Sequence, residues 1–314
     1  MKTQKIGKSD LVSTRLAYGC MRISGTWDRA KFTPEMESAG KASVLAAWDA
    51  GYTHFDHADI YGNGLSEEIF GKVCKDVPAL RKGSVVATKC GIRWKGEPNA
   101  DSPHRWDFSK EHILRSCESS LKRLGIETID LYMLHRPDYL ADPAEIASAF
   151  SELKKSGKVR EFGVSNFRPS MLTMVQSACD MPLICNQVEV HMARLDCFED
   201  GTLDQCLEHQ ITPVSWSPIA GGLLGDGGTV DPKDKRVAGL GALLNLLDIM
   251  AEKYKCSRSV ISIAWLLKHP SKIIPIIGSV KPQRIKDAVA ADAIEMSRDD
   301  WYTILVAARM QGLP

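Results

Sequence analysis

The chain has 314 residues, of which 44% are hydrophobic and 25% charged, an ordinary globular composition with length for one large barrel domain or two smaller ones. A formal net charge of +1 gives no general pull toward nucleic acid or an anionic membrane. No apolar run approaches the ~18 residues of a membrane span, and the polar start Met1-Lys2-Thr3-Gln4-Lys5 leads into no secretory core.

Residues 3–6 and 11–13 flank the turn-rich Gly7-Lys8-Ser9-Asp10, which predicts a small N-terminal hairpin capping one end of the domain. Residues 15–19 read as the first barrel strand, with Cys20, Met21 and Arg22 at its exit. Thr33-Pro34 places a cap before a first-turn proline and opens a helix, with Val44, Leu45 and Trp48 at helical spacing. From there strands are predicted near 53–56, 85–89, 129–134, 161–164, 184–189, 212–216 and 273–277. Helices are predicted near 66–75, 109–124, 143–156, 169–178, 201–209, 241–254, 258–268 and 282–290. Strand and helix alternate eight times, which argues for a parallel sheet closed into a (β/α)8 TIM barrel, with residues 1–314 as one α/β domain. Two long loops, 90–107 with its tryptophans and the glycine-rich 218–239, follow strand ends and should overhang the site. Residues 298–311 predict a terminal helix able to pack across the barrel. The nine cysteines, an odd number with no C-x-x-C pair, suit reduced thiols in a cytoplasmic protein.

Several polar residues stand where strands end, the edge at which such barrels keep their chemistry. Asp56 closes one strand, Tyr61 follows it in the loop, and Lys89 and His135 end two others. A phenol has a pKa near ~10, too high for ready proton donation, and a neighbouring ammonium lowers it. Lys89 can play that part for Tyr61, with Asp56 keeping Lys89 charged, while neutral His135 orients a carbonyl oxygen or relays a proton. Together they can protonate an alkoxide forming from an aldehyde or ketone. No side chain donates hydride, so a nicotinamide cofactor is implied. A Schiff-base role for Lys89 is the rival chemistry. His54, Asp56, His57 and Asp59 are not read as metal ligands: strand alternation separates His57 from His54 and Asp56, and no second ligand group follows.

These residues sit in longer matching stretches: Phe55 through Gly62, Ala87 through Gly91, Leu131 through Asp138, Gly157 through Phe167, Asn186 through Glu189, Trp216-Ser217-Pro218 and Ile274 through Ser279. In that order, over nearly the whole chain, the sequence resembles the aldo-keto reductase family, most closely a bacterial branch of YdhF-type oxidoreductases. The resemblance implies Tyr61 as proton donor, Lys89 and Asp56 as its activating pair and His135 as the carbonyl-orienting group. It implies an extended NADPH/NADP+ bound without a Rossmann fold, in keeping with the lack of a complete G-x-G-x-x-G. Ser165, Asn166 and Gln187 would hold the nicotinamide carboxamide, and Trp216 would offer its ring face. Ser217, Pro218, Ile219, Gly221, Gly222 and Leu223 would strap the pyrophosphate. Cys20, Met21, Gly278 and Ser279 would complete the cleft, and Arg284 would clamp the 2′-phosphate, favouring NADPH over NADH. Ala288 departs from the asparagine that many members place against adenine. The implied activity is NADPH-dependent reduction of a small carbonyl substrate to an alcohol by a monomer, with a redox-sensing NADPH-binding protein on the same barrel as the alternative. Met21, Trp27, Ile60, Trp94 and Trp106 are candidate substrate walls.

Overall fold

Two short antiparallel strands open the chain, β1 (Thr3–Lys5) and β2 (Val12–Thr14). The connection between them carries Ile6 and Leu11 into the barrel's inner core, beside Val85, Leu131, Ile184 and Ile274. Gly7 sits at φ +54, its N–H donates to Thr212 Oγ1 at 2.8 Å, and a Cβ there would lie 2.5 Å from the Ile184 carbonyl oxygen. The hairpin therefore plugs one end of the barrel, as its turn chemistry predicts. Residues 1–313 are described in this computed structural model; Pro314, the last of the predicted domain range, lies outside them.

The barrel follows. Its strands are β3 (Ala17–Gly19), β4 (His54–Asp56) and β5 (Val85–Cys90). A small arm, β6 (Ile92–Arg93) paired antiparallel with β7 (Arg105–Trp106), interrupts the sequence. The barrel resumes with β8 (Ile129–Leu134), β9 (Val159–Ser165), β10 (Leu183–Glu189), β11 (Thr212–Trp216) and β12 (Ile274–Ile277). The eight parallel strands close in chain order, with β12 pairing back onto β3. Within the long connection 90–107, Ile92↔Trp106 pairing and an Arg93–Asp107 ion pair of 2.8 Å fold its ends into a ribbon.

Strand alternation decides what reaches the lumen. Val85 and Ala87 belong to the inner cluster while Val86 and Cys90 pack outward among the helices, so Lys89 is the next inward position of β5. The same count on β8 takes Met133 inward and His135, just past the strand, inward after it. Helices cover the outside. Thr33 caps Pro34–Asp49 by accepting from the Met36 N–H, and Lys110–Leu124 ends at Gly125, φ +63, in the left-handed turn that favours glycine. The terminal helix Arg298–Arg309 lies along the flank against Val237–Lys253 and Arg258–Leu267, where Trp301 stacks on Trp265 with centroids 5.1 Å apart. No helix of the described residues is long and apolar enough to cross a membrane.

Candidate active site

Four polar side chains converge at the C-terminal end of the barrel. The Lys89 ammonium donates to Asp56 Oδ2 at 2.9 Å, to the His57 carbonyl oxygen at 2.6 Å and to Tyr61 Oη at 3.2 Å. An ammonium has three N–H groups, so all are engaged and Lys89 is fixed. His135 faces the same phenol, its ring 5.8 Å from that of Tyr61 and nearly perpendicular to it. Tyr61 is placed by a tight turn: Gly62, Asn63 and Gly64 all have positive φ, and a Cβ on Gly62 would lie 2.4 Å from Ser24 Oγ.

Burial sets the electrostatics. It works against the Lys89 charge, but Asp56 and Tyr61 outweigh it and the pKa stands above the ordinary lysine value. The His135 imidazole is held well below the usual histidine range by burial, then by Lys89 and Arg136, and is neutral. For Tyr61 the expectation needs correcting. Burial pushes the phenol above its ordinary value; Lys89 opposes the rise only in part, and Asp56 adds to it. Enclosure of a group only 8% exposed outweighs one neighbouring cation whose charge Asp56 already balances.

A second network joins these four to the residues expected at a nicotinamide. Gln187 Nε2 donates to Asp56 Oδ1 at 2.8 Å, and Ser165 Oγ to the Gln187 carbonyl oxygen at 2.9 Å. Asn166 Nδ2 donates to Ser165 Oγ at 2.8 Å and to the His135 carbonyl oxygen at 3.2 Å, and Trp216 Nε1 donates to Asn166 Oδ1 at 2.9 Å.

Strand order arranges the rest into an arc. Asp56, Tyr61, Lys89 and His135 leave the neighbouring strands β4, β5 and β8. Ser165 and Asn166, Gln187, the stretch from Trp216 to Leu223, the stretch from Gly278 to Arg284, and Cys20 with Met21 leave β9, β10, β11, β12 and β3, the remaining consecutive strands. Within that arc Ser217 and Ala220 have φ of +51 and +50, and Gly221, Gly222 and Gly278 face open space where a Cβ would stand. Pro218 is buried beneath the strap, Ile219 and Leu223 are half-buried, Ser279 is half-buried and Arg284 exposed. Cys20 is buried and Met21 is 40% exposed. An extended ligand could lie along these exits; within the strap the N–H groups of Ala220, Gly222, Leu223 and Leu224 donate to carbonyl oxygens of the same turn.

Two hollows flank the mouth. One, of about 670 Å³, is lined by Trp27, Asp59, Ile60, Trp94 and Arg123 among others; the second, about 570 Å³, by Glu189, His191, Arg194, Ala220, Leu223 and Arg236. Trp27, Ile60 and Trp94 are thus walls of a cavity, and Trp27 meets Tyr61 edge-on with centroids 6.3 Å apart. Met21 and Trp106 line neither hollow. His57 packs edge-on against Phe70, turned away from Asp56, and the described residues contain no group of His, Cys, Asp and Glu arranged to hold a metal ion.

Arg136 lies inside the matching stretch Leu131 through Asp138, where sequence assigns it no role. The structure lays its guanidinium over the Trp216 ring, 5.3 Å from the centroid, half-buried in the mouth. Sequence also leaves unmarked a buried set behind the lysine, where Thr88 Oγ1 donates to Glu67 Oε1 at 2.6 Å and Arg123 Nε to Glu67 Oε2 at 2.7 Å. Beside it, burial and then Glu67 push the Asp59 carboxyl up to about 8.

The chain is similar to known proteins along nearly its whole length. Residues 15–307 match the model of the aldo/keto reductase family. The chain is 39% identical over 266 residues to the oxidoreductase YdhF of Escherichia coli, covering 85% of this chain and 86% of that one. It is 37% identical over 317 residues to a 6-dehydroglucose reductase of Novosphingobium aromaticivorans, covering 99% and 97%. A glycerol dehydrogenase from Gluconobacter oxydans superposes with a TM-score of 0.85 at 26% identity, covering 99% and 97%. With its closed eight-stranded barrel and this match across nearly all its length, the chain belongs to the aldo/keto reductase family and is an oxidoreductase of the carbonyl-reducing kind.

Proposed function

We propose that the protein reduces aldehydes or ketones to alcohols with NADPH, Tyr61 supplying the proton. The observation that carries this reading is the Lys89 N–H donated to Tyr61 Oη at 3.2 Å. That bond occupies a lone pair of the phenol oxygen and leaves its own O–H free to point into the mouth. Because burial keeps the phenol protonated, Tyr61 holds its proton until negative charge develops on a nearby oxygen. The Lys89 ammonium then stabilises the phenolate left behind, and Asp56 keeps that ammonium in place. His135, neutral and beside the phenol, orients the carbonyl oxygen.

A bound nicotinamide dinucleotide would supply hydride to the carbonyl carbon. Ser165, Asn166 and Gln187 would hold its carboxamide, Trp216 its ring, the stretch from Ser217 to Leu223 its pyrophosphate, and Arg284 its 2′-phosphate, with Cys20, Met21, Gly278 and Ser279 completing the cleft. Their order around the rim, with open space above Gly221, Gly222 and Gly278, fits an extended dinucleotide. The name of the 6-dehydroglucose reductase relative supports reduction as the direction.

An imine on Lys89 is disfavoured, because its nitrogen is charged, has three hydrogen-bond partners and is fully buried. The nine unpaired cysteines support a cytoplasmic protein, and since one chain builds the whole site we propose a monomer. The test is loss of NADPH absorbance with a panel of aldehydes and ketones. Turnover of any of them is expected; tight NADPH binding with none reduced would favour a redox sensor instead.

A further inference from the structure

Arg136 is the basic group at the mouth that the mechanism leaves unused. Its basic neighbours are held by carboxylates: Lys89 by Asp56 at 2.8 Å, Arg194 by Glu189 and by Asp196 at 3.2 Å, and Arg236 by Asp234 at 3.0 Å. Glu189, the acid closest in influence to Arg136, also meets His191 Nε2 at 3.4 Å. No carboxylate lies within ion-pairing distance of Arg136 among the described residues, and its contact there is with the face of Trp216. The guanidinium follows His135 directly in sequence and acts electrostatically on Tyr61.

A half-buried guanidinium without an anion loses hydration and gains only a ring face in return. Its planar fork of N–H donors matches carboxylate and phosphate oxygens, and stacking on Trp216 pre-orients that fork beside the reacting centre. We infer that Arg136 is a specificity-determining residue that recognises an anionic oxygen group, a carboxylate or phosphate, carried by the carbonyl substrate. This assignment rests on the proposed reductase reading and narrows it: the preferred substrate is an acidic aldehyde or ketone, with Tyr61 taking the carbonyl end and Arg136 the anionic end.

The test compares matched substrates with NADPH in the wild type, Arg136→Gln and Arg136→Lys. One pair is 4-carboxybenzaldehyde and methyl 4-formylbenzoate; the other is glyceraldehyde 3-phosphate and glyceraldehyde, so the two arms tell carboxylate from phosphate recognition. The wild type should favour the charged member of at least one pair by about tenfold or more in kcat/KM, the scale of one charge-assisted bidentate contact. Arg136→Gln should erase that preference mainly through KM, costing the charged member about tenfold more in kcat/KM than its neutral counterpart. Arg136→Lys should restore part of it, since a point charge replaces the fork. Preference for the neutral members in the wild type, or equal losses on both members in Arg136→Gln, would overturn the assignment. If the wild type reduces no carbonyl, neutral or charged, the reductase reading itself fails; turnover of the neutral members alone removes only the role of Arg136.

Discussion

Lys89 Nζ lies 3.2 Å from Tyr61 Oη and 4.9 Å from the centre of the same ring, so the cation addresses both the oxygen and the π face of the phenol. The contact joins β5 to the turn after β4, whose residues Asp56 and Ala87 are paired across the barrel wall.

Replacing Lys89 by methionine should remove the group that offsets burial of the phenol, moving the Tyr61 pKa further up and stripping the phenolate of its counter-charge. Turnover should fall by a factor on the order of 10²–10⁴, the range of general acid–base effects, with dinucleotide affinity nearly retained. The same change leaves Asp56 buried without its cation, which costs about 3–5 kcal/mol of stability. Steady-state kinetics over a range of pH together with a urea melt check both parts; an unaltered pH profile at full activity would detach Lys89 from the phenol.

Tyr61→Phe keeps the ring against Trp27 and His135 and deletes only the hydroxyl. The fold and cofactor binding should persist, because the ring contacts are apolar and edge-on. Turnover should drop by a similar factor of roughly 10²–10⁴. Fluorescence titration with NADPH beside the reductase assay separates the two effects. A variant as fast as the wild type would take Tyr61 out of the chemistry.

Periodicity exposed the barrel because its signal is local: β5 reads inward and outward by alternate residues, and Thr33-Pro34 states a helix start within two positions. The four residues at the mouth were legible for the same reason, since strand exits share one edge. What stayed hidden depends on distance and enclosure. The net upward shift of Tyr61 follows from how fully it is covered, which no spacing reports. The link from Gln187 to Asp56 spans 131 positions, and Glu67 meets Arg123 across 56. Arg136 was visible beside His135, yet its lack of an anion emerges only once Glu189 is seen committed to Arg194.

Buried histidines should make stability fall on the acid side. Burial lowers His54 to about 4, His57 to about 3 and His112 to about 4 from the ordinary 6.5. The unfolded chain therefore binds protons that the folded chain refuses, so stability is lost as pH falls below about 6.5, toward the folded values. Asp59 acts with the opposite sign: raised to about 8, it costs stability as pH rises from about 4 toward that value. His135, His191 and His269 are lowered too, so the histidines outweigh the one raised carboxyl and leave a net loss between pH about 6 and 4, on the order of several kcal/mol. Urea midpoints at pH 7 and pH 5 measure it. His57→Phe, whose ring still meets Phe70, should flatten the acid slope; a slope unchanged by that substitution would remove His57 from the effect.

Arg284 tests the cofactor assignment apart from the chemistry. Its side chain is exposed in the first turn of Pro282–Ala288, the helix that follows β12. A cation in a first helical turn is slightly unfavourable beside the positive end of the helix, so an anion on the ligand is the natural reason for its presence. The 2′-phosphate distinguishes NADPH from NADH and offers charged oxygens to a guanidinium. Arg284→Ala should weaken NADPH about 10- to 100-fold and NADH little, with turnover at saturating cofactor unchanged because the residue is assigned to the cofactor's phosphate and not to the proton transfer. Dissociation constants for both dinucleotides decide it: equal losses for the two would mean that Arg284 touches a group they share, or none.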